Sequence, residues 1–251
     1  MSTAHVTAII PARLHSRRFS RKVLFPLQGK PMIFHVWDSI RRARLVNQLF
    51  IATDSEEIGR AVNEFGGAVI MTSEKPKNGS ERAAEAVMDM KTDIVVNIQA
   101  DNLGLSGSVI DRVLKEMIAD KAIRYATLAR KIEEKDWKQK LENPNVVKTV
   151  LTNDGCAGWF SRHPIPYIQR PGKKRAIDLY GFLEHIGVYF YRKSGLMDYL
   201  AWPQAGTEKA ESLEQLRILE NGGRIKLYTT RASILSVDSK QAITKANLYL
   251  K

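Results

Sequence analysis

The eleven residues after Pro11 hold five cationic side chains, Arg13, Arg17, Arg18, Arg21 and Lys22, with two serines and no acid. They follow directly on the apolar run Ala8-Ile9-Ile10. A loop dense in Arg, Lys and backbone N–H donors at the carboxyl edge of a buried strand suits a polyphosphate, because its donors match phosphate oxygens in charge and geometry. A nucleoside triphosphate site is the first expectation, with solvated loop charge as the alternative. Neither the P-loop spacing nor the dinucleotide glycine pattern is present, which disfavours a Walker ATPase and an ordinary NAD enzyme.

Two aspartates each close an apolar run: Asp101 after residues 94–99, and Asp238 after residues 234–237. Carboxylates at strand ends beside a phosphate loop suit Mg²⁺, a hard cation that takes one or two carboxylates plus phosphate oxygens. Each could equally cap the helix that follows. Asn78-Gly79-Ser80-Glu81-Arg82 reads as a small polar loop that could meet a base and ribose, or as a plain helix start. Arg162 ends a strand, where its planar fork could clasp a carboxylate. His185 opens a strand that also carries Tyr189, and Glu208, Glu214 and Gln215 share one expected helix, where the bland reading is a solvated face.

The elements that must hold these groups follow a strand–helix alternation. Strands are expected at residues 6–10, 49–52, 68–71 and 93–98, with helices opening at Pro31, at Asp54 or Ser55, and over residues 81–90. That spacing indicates a parallel sheet covered on both faces. A helix at 108–119 and a strand at 126–130 continue it. The pattern then changes: residues 146–151 and 157–162 flank Thr152-Asn153-Asp154-Gly155, a turn sequence that joins antiparallel strands. A Pro- and Lys/Arg-rich loop (163–175), a strand (185–191), a helix (208–220), a strand (224–229) and a last helix (240–249) complete the chain.

At 251 residues, 44% hydrophobic and 26% charged, the chain has the make-up of an ordinary globular protein with a full core. Its single Cys156 excludes an intrachain disulfide framework and a cysteine-cluster metal site, and fits a reducing compartment. With no signal-peptide pattern and no apolar run of membrane-spanning length, a cytoplasmic protein that does not enter the membrane is expected. The net charge of +12 favours polyanionic partners. No nucleic-acid-binding module is readable, so nucleic acid is not an expected partner.

Several collinear motifs carry a family resemblance. Pro11-Ala12-Arg13 with Ser16, Arg17 and Lys22, then Gly29-Lys30-Pro31-Met32-Ile33 and His35-Val36, resembles the amino-terminal signature of the 3-deoxy-manno-octulosonate (Kdo) cytidylyltransferases, the CMP-Kdo synthetases. In the same order come Ala52-Thr53-Asp54, Gly79-Ser80-Glu81-Arg82, Asn97-Ile98-Gln99, Asn143-Pro144-Asn145-Val146-Val147-Lys148, Phe160-Ser161-Arg162, Ile165-Pro166, His185-Ile186-Gly187, Leu213-Glu214-Gln215-Leu216-Arg217 and Val237-Asp238. They cover nearly the whole chain.

The resemblance implies an α/β fold of the nucleotidyltransferase type, Rossmann-like, with a mostly parallel central sheet and a smaller antiparallel sugar-side and dimerising region. As one domain over residues 1–251, it would divide into a CTP-binding part (about 1–130), a sugar-binding and dimerisation part (131–230) and a returning strand with a terminal helix (231–251). It implies Mg²⁺-dependent formation of CMP-Kdo and pyrophosphate from CTP and Kdo, for lipopolysaccharide or capsule synthesis, by a homodimer. Arg13, Lys22 and Asp101 would be the catalytic groups, with Pro11, Ala12, Ser16, Ser80, Arg82 and Gln99 also at the nucleotide. Arg162, His185, Tyr189, Glu214 and Gln215 would line the sugar-acid pocket, and Asp101 and Asp238 would hold Mg²⁺. Three segments depart from the family pattern, one of them the final helix, which lacks the acidic Pro-Glu-Asp continuation after Asp238-Ser239. Gly-Asp-Glu-Pro after Gln99 is Ala100-Asp101-Asn102-Leu103 here, and Pro-Gly-Lys-Pro in the first loop is Ser20-Arg21-Lys22-Val23. The alternatives are a cytidylyltransferase for another keto or amino sugar acid, and a catalytically weakened nucleotide- or polyanion-binding relative.

Overall fold

Strand β1 (Val6–Ala12) is buried at every position. Because successive strand residues point to opposite faces, it divides the core: Val6, Ala8, Ile10 and Ala12 join one hydrophobic cluster and Ile9 the other. The computed structural model describes residues 4–14, 21–167, 169, 181–237 and 240–250. Ser16, Arg17, Arg18, Asp238 and most of the 163–175 segment lie outside the described residues.

A two-strand ribbon of β2 (Pro26–Leu27) and β3 (Lys30–Pro31) leads into α1 (Met32–Ile40). Strand β4 (Gln48–Thr53) pairs parallel with β1, α2 (Glu56–Glu64) follows, and β5 (Ala68–Met71) pairs parallel with β4. Ser55 is the cap of α2, accepting from the Ile58 amide, whereas Asp54 bonds Arg82. Helix α3 (Gly79–Ala86) starts two residues earlier and ends four earlier than its apolar spacing suggests. Strand β6 (Ile94–Ile98) pairs parallel with the other side of β1.

After β6 the short strand β7 (Asn102–Leu103) precedes α4 (Gly107–Ala119) and β8 (Tyr125–Lys131). The antiparallel part follows: β9 (Lys148–Leu151), β10 (Ala157–Ser161) and β11 (Leu183–Arg192), which pairs antiparallel with β6, β8 and β9. Strand β12 (Ile225–Thr229) joins parallel to β8, and β13 (Leu235–Ser236) pairs with β7. The sheet is thus mixed, parallel where the cationic loop emerges and antiparallel beyond β6 except for the parallel β8–β12 pair. Ile33, Val36 and Ile40 of α1 with Ile110 and Val113 of α4 cover one face, and Ala83 of α3 with Leu196 and Tyr199 covers the other. The expected α/β class with helices on both faces holds. No helix among the described residues is long and apolar enough to cross a membrane.

The expected helix 208–220 is two short helices, Gly206–Glu211 and Leu216–Glu220, parted where Ser212 takes a left-handed backbone at φ 51°. Short helices Trp137–Leu141 and Lys193–Ala201 add to the expected set.

Candidate active site

The parallel strands β1, β4 and β6 end at one edge of the sheet, and the residues that leave them converge there. Pro11 and Ala12 are buried in register with Ala52 and Thr53. Arg13 follows, and its guanidinium donates to the Pro76 carbonyl. Burial, with Arg82 nearby, lowers the Arg13 pKa, while Asp54, Glu214 and Glu81 oppose that shift.

The cationic loop is closed at its base by the Arg21 amide, which donates to Leu14 O at 2.8 Å. Arg21 sits in the left-handed region at φ 59°, a conformation that glycine accepts without cost. The glycine typical of the family at this position therefore has a backbone reason, and here an ion pair between Arg21 and Glu57 accompanies the replacement. Lys22 opens the next turn and places Nζ 2.5 Å from Asp101 Oδ2. Asp101 does not cap a helix, since α4 begins after Ser106.

Gln99 is the hinge of the site. It lines a cavity of about 570 Å³ together with Arg13, Asn78, Gly79 and Glu214. It also lines a second cavity of about 270 Å³ together with Asp101, Asn102, His185 and Ile186. Tyr189, Leu213 and Gln215 belong to both walls. Two glycines make room for Gln99: a Cβ on Gly79 would lie 2.8 Å from its Nε2, and one on Gly187 would lie 3.4 Å from its Cγ.

Ser80 and Arg82 stand behind the first cavity and not in its lining, because non-local partners draw them inward. The Ser80 hydroxyl meets Tyr191 Oη at 2.7 Å and Asn97 Nδ2 at 3.0 Å, while its amide donates to Glu214 Oε2 at 3.1 Å. Arg82, fully buried, donates to Asp54 Oδ2 at 2.9 Å and to Thr72 and Ser73. Their role in the structure is to brace the loop that presents Asn78 and Gly79.

In the wall shared by the two cavities, Tyr189 Oη donates to Gln215 Oε1 at 3.0 Å, and the buried Gln215 Nε2 has no partner among the described residues. His185 Nε2 lies 2.9 Å from Thr127 Oγ1, with the Phe160 ring edge-on at 4.9 Å. Glu214 lies on the Arg13 side, in the first cavity, and burial pushes its carboxyl up to about 7. Arg162 lines neither cavity: it donates to the carbonyls of Glu211 (2.6 Å), Pro144 (2.8 Å) and Ser212 (3.3 Å), strapping two loops together.

Two organising residues carry weaker sequence signals. Arg217, almost fully buried, pairs with Glu208 at 2.7 Å and with Glu81 at 2.8 Å, joining the 206–220 segment to the Asn78 loop. Lys148 is fully buried and donates to the Val146 and Asn143 carbonyls at 2.7 and 3.1 Å and to that of Arg162. Both lie within motifs of the family resemblance, and burial of a cation is what that signal reports.

Comparison with known proteins identifies the family and the fold. The family model described as Cytidylyltransferase matches residues 7–227. The 3-deoxy-manno-octulosonate cytidylyltransferase of Pelobacter propionicus is 37% identical over 247 residues, 96% of each chain. That of Geobacter sulfurreducens is 37% identical over 98% of this chain and 100% of its own. A solved structure of CMP:2-keto-3-deoxy-manno-octonic acid synthetase complexed with CTP superimposes with a TM-score of 0.88 at 32% identity, covering 98% of both chains. With relatives this similar along nearly its entire length, the chain belongs to the 3-deoxy-manno-octulosonate cytidylyltransferase, or CMP-Kdo synthetase, family.

Proposed function

We propose that this chain transfers CMP from CTP to the anomeric hydroxyl of Kdo, giving CMP-Kdo and pyrophosphate for lipopolysaccharide or capsule synthesis. The observation that carries the reading is the pair of cavities meeting at Gln99, one edged by Arg13 and the other by Asp101. Two substrates bound on either side of that residue would bring an α-phosphorus and a hydroxyl together. Holding reactants in line supplies much of the acceleration in such transfers.

CTP would occupy the Arg13 side and the sugar acid the His185 side. As the hydroxyl oxygen bonds to phosphorus and sheds its proton, the bond to the leaving pyrophosphate breaks and negative charge grows on it. Arg13 and Lys22 would stabilise that charge. Gln215 Nε2, buried and without a partner among the described residues, is a donor suited to the sugar acid's oxygens.

Asp101 is the described residue fitted to hold Mg²⁺, since it offers hard carboxylate oxygen beside the phosphate loop. Val237, the residue before Asp238, donates its amide to the Asp101 carbonyl at 3.3 Å, which supports Asp238 as its companion. When bound, the cation would neutralise phosphate charge and lower the pKa of a nearby hydroxyl.

We infer a homodimer as well. Its support is the family and an apolar groove of about 470 Å³ in the antiparallel region, lined by Trp137, Leu141, Pro164, Pro166, Tyr167 and Phe182. Tyr167 is 86% exposed there, and sedimentation velocity would test the assignment. The sugar assignment is tested by comparing sugar acids at saturating CTP. Turnover is expected with Kdo; failure with Kdo beside robust turnover of an amino or another keto sugar acid would overturn it.

A further inference from the structure

We infer that Thr127, a core residue of β8, fixes the tautomer of His185 and so makes that ring a hydrogen-bond acceptor for a hydroxyl donor of the acceptor sugar. The inference deepens the reading above and rests on the second cavity being the sugar side.

Strand β11 is irregular at its centre. Its pairing with β8 shifts register between Ile186 and Tyr189, a bulge of the kind that re-aims side chains beside active sites. The bulge turns the Val188 carbonyl toward Thr127, whose Oγ1 lies 2.8 Å away. A carbonyl has no proton, so this contact is a hydrogen bond only when Thr127 donates. A threonine hydroxyl has a single proton. Its 2.9 Å contact with His185 Nε2 must then be one in which the imidazole donates and the hydroxyl accepts.

A neutral imidazole protonated at Nε2 carries its lone pair on Nδ1. Burial keeps the ring neutral, since it pushes the His185 pKa down to about 3. Phe160 at 4.9 Å and Tyr189 at 5.5 Å between ring centroids hold the ring in place. His185 lines the second cavity, and with Nε2 committed to Thr127 any ligand bond to the ring passes through Nδ1 as acceptor. A sugar hydroxyl satisfies it. A carboxylate, which is itself acceptor-only, does not, so the sugar's carboxylate belongs to donors such as Gln215 Nε2 instead. Thr127 is thus a positioning residue, fully buried and unable to touch the substrate itself.

The test uses the full-length protein labelled with ¹⁵N-histidine. Long-range ¹H–¹⁵N correlation near neutral pH reads the tautomer of each of the five histidines, and the pattern lost in His185→Gln assigns His185. The expected pattern is protonated Nε2 with unprotonated Nδ1; a protonated Nδ1 in the native protein overturns the inference. This arm needs neither a variant of Thr127 nor turnover, so it stands even if the sugar assignment fails. Thr127→Val, nearly isosteric, is expected to move His185 to a mixed or Nδ1-protonated pattern. It should also raise the KM for the sugar acid about tenfold, the worth of one hydrogen bond, with the KM for CTP unchanged. Thr127→Ser should restore both. A Thr127→Val protein that keeps the Nε2-protonated pattern and the native sugar KM would also overturn it.

Discussion

Lys22 Nζ lies 2.5 Å from Asp101 Oδ2, and the two side chains are only 17% and 19% exposed. The pair spans 79 positions of sequence and ties the loop after β1 to the segment after β6. One residue is a cation suited to the triphosphate and the other a carboxylate suited to Mg²⁺. Each therefore orients the other beside the second cavity, which Asp101 lines.

Removing either partner should damage turnover far more than folding. Lys22→Met is expected to lower kcat by roughly 10²–10³-fold, as loss of one charge-stabilising donor does. Asp101→Ala should abolish Mg²⁺-dependent turnover while circular dichroism stays native. Near-normal turnover of Asp101→Ala would remove its metal assignment.

Gly79→Ala places a methyl 2.8 Å from Gln99 Nε2. The obstructed atom is the end of a flexible side chain, so the fold should survive and Gln99 should swing aside. The expected result is a KM for CTP raised about tenfold or more, at a Tm within a few degrees of native. An unchanged KM would show that Gln99 makes no contact with nucleotide.

Asn102 stands where the family typically has glutamate, and its Nδ2 donates to the Gly187 carbonyl in the β11 bulge at 3.0 Å. Glutamate has no proton to give that carbonyl at neutral pH. Asn102→Glu should therefore destabilise the fold by about 1–3 kcal/mol, the cost of an unmet buried acceptor. The added charge beside Asp101 should also lower the Mg²⁺ concentration needed for half-maximal turnover. An unchanged Tm would show that the bulge does not depend on this bond.

Glu214 should couple stability to pH. Burial raises its carboxyl from 4.5 to about 7, opposed by the Ser80 amide bond. The folded state then holds the proton more tightly than the unfolded chain, so this stabilisation is complete below 4.5 and is lost as pH rises through about 7. Glu214→Gln should flatten the pH dependence of the unfolding free energy across that window by on the order of 3 kcal/mol. An equally steep decline in the variant would assign the slope to other groups.

The sheet and its loaded edge were legible because the cues are local: an apolar run followed by Arg13, or by Gln99 and Asp101, marks a strand and what leaves its end. Ser80 and Arg82 were less so. Their burial depends on Tyr191, 111 positions away, and on Asp54, 28 positions away, contacts that no local pattern encodes. Reading 208–220 as one helix failed at Ser212, a residue type without a marked left-handed preference. The fork of Arg162 suits a carboxylate, and the three backbone carbonyls that accept from it come from residues 18 to 50 positions away, which no local pattern encodes. The resemblance to a known family supplied the pairing of Lys22 and Asp101 with one reaction, which neither spacing nor composition could.

The most direct measurement is pyrophosphate release by the purified protein with Mg²⁺, each of the four ribonucleoside triphosphates in turn, and Kdo present or absent. Release is expected only when CTP and Kdo are both supplied. Release with another triphosphate in place of CTP, release independent of Kdo, or no release at all from protein that binds CTP would contradict the proposed transfer.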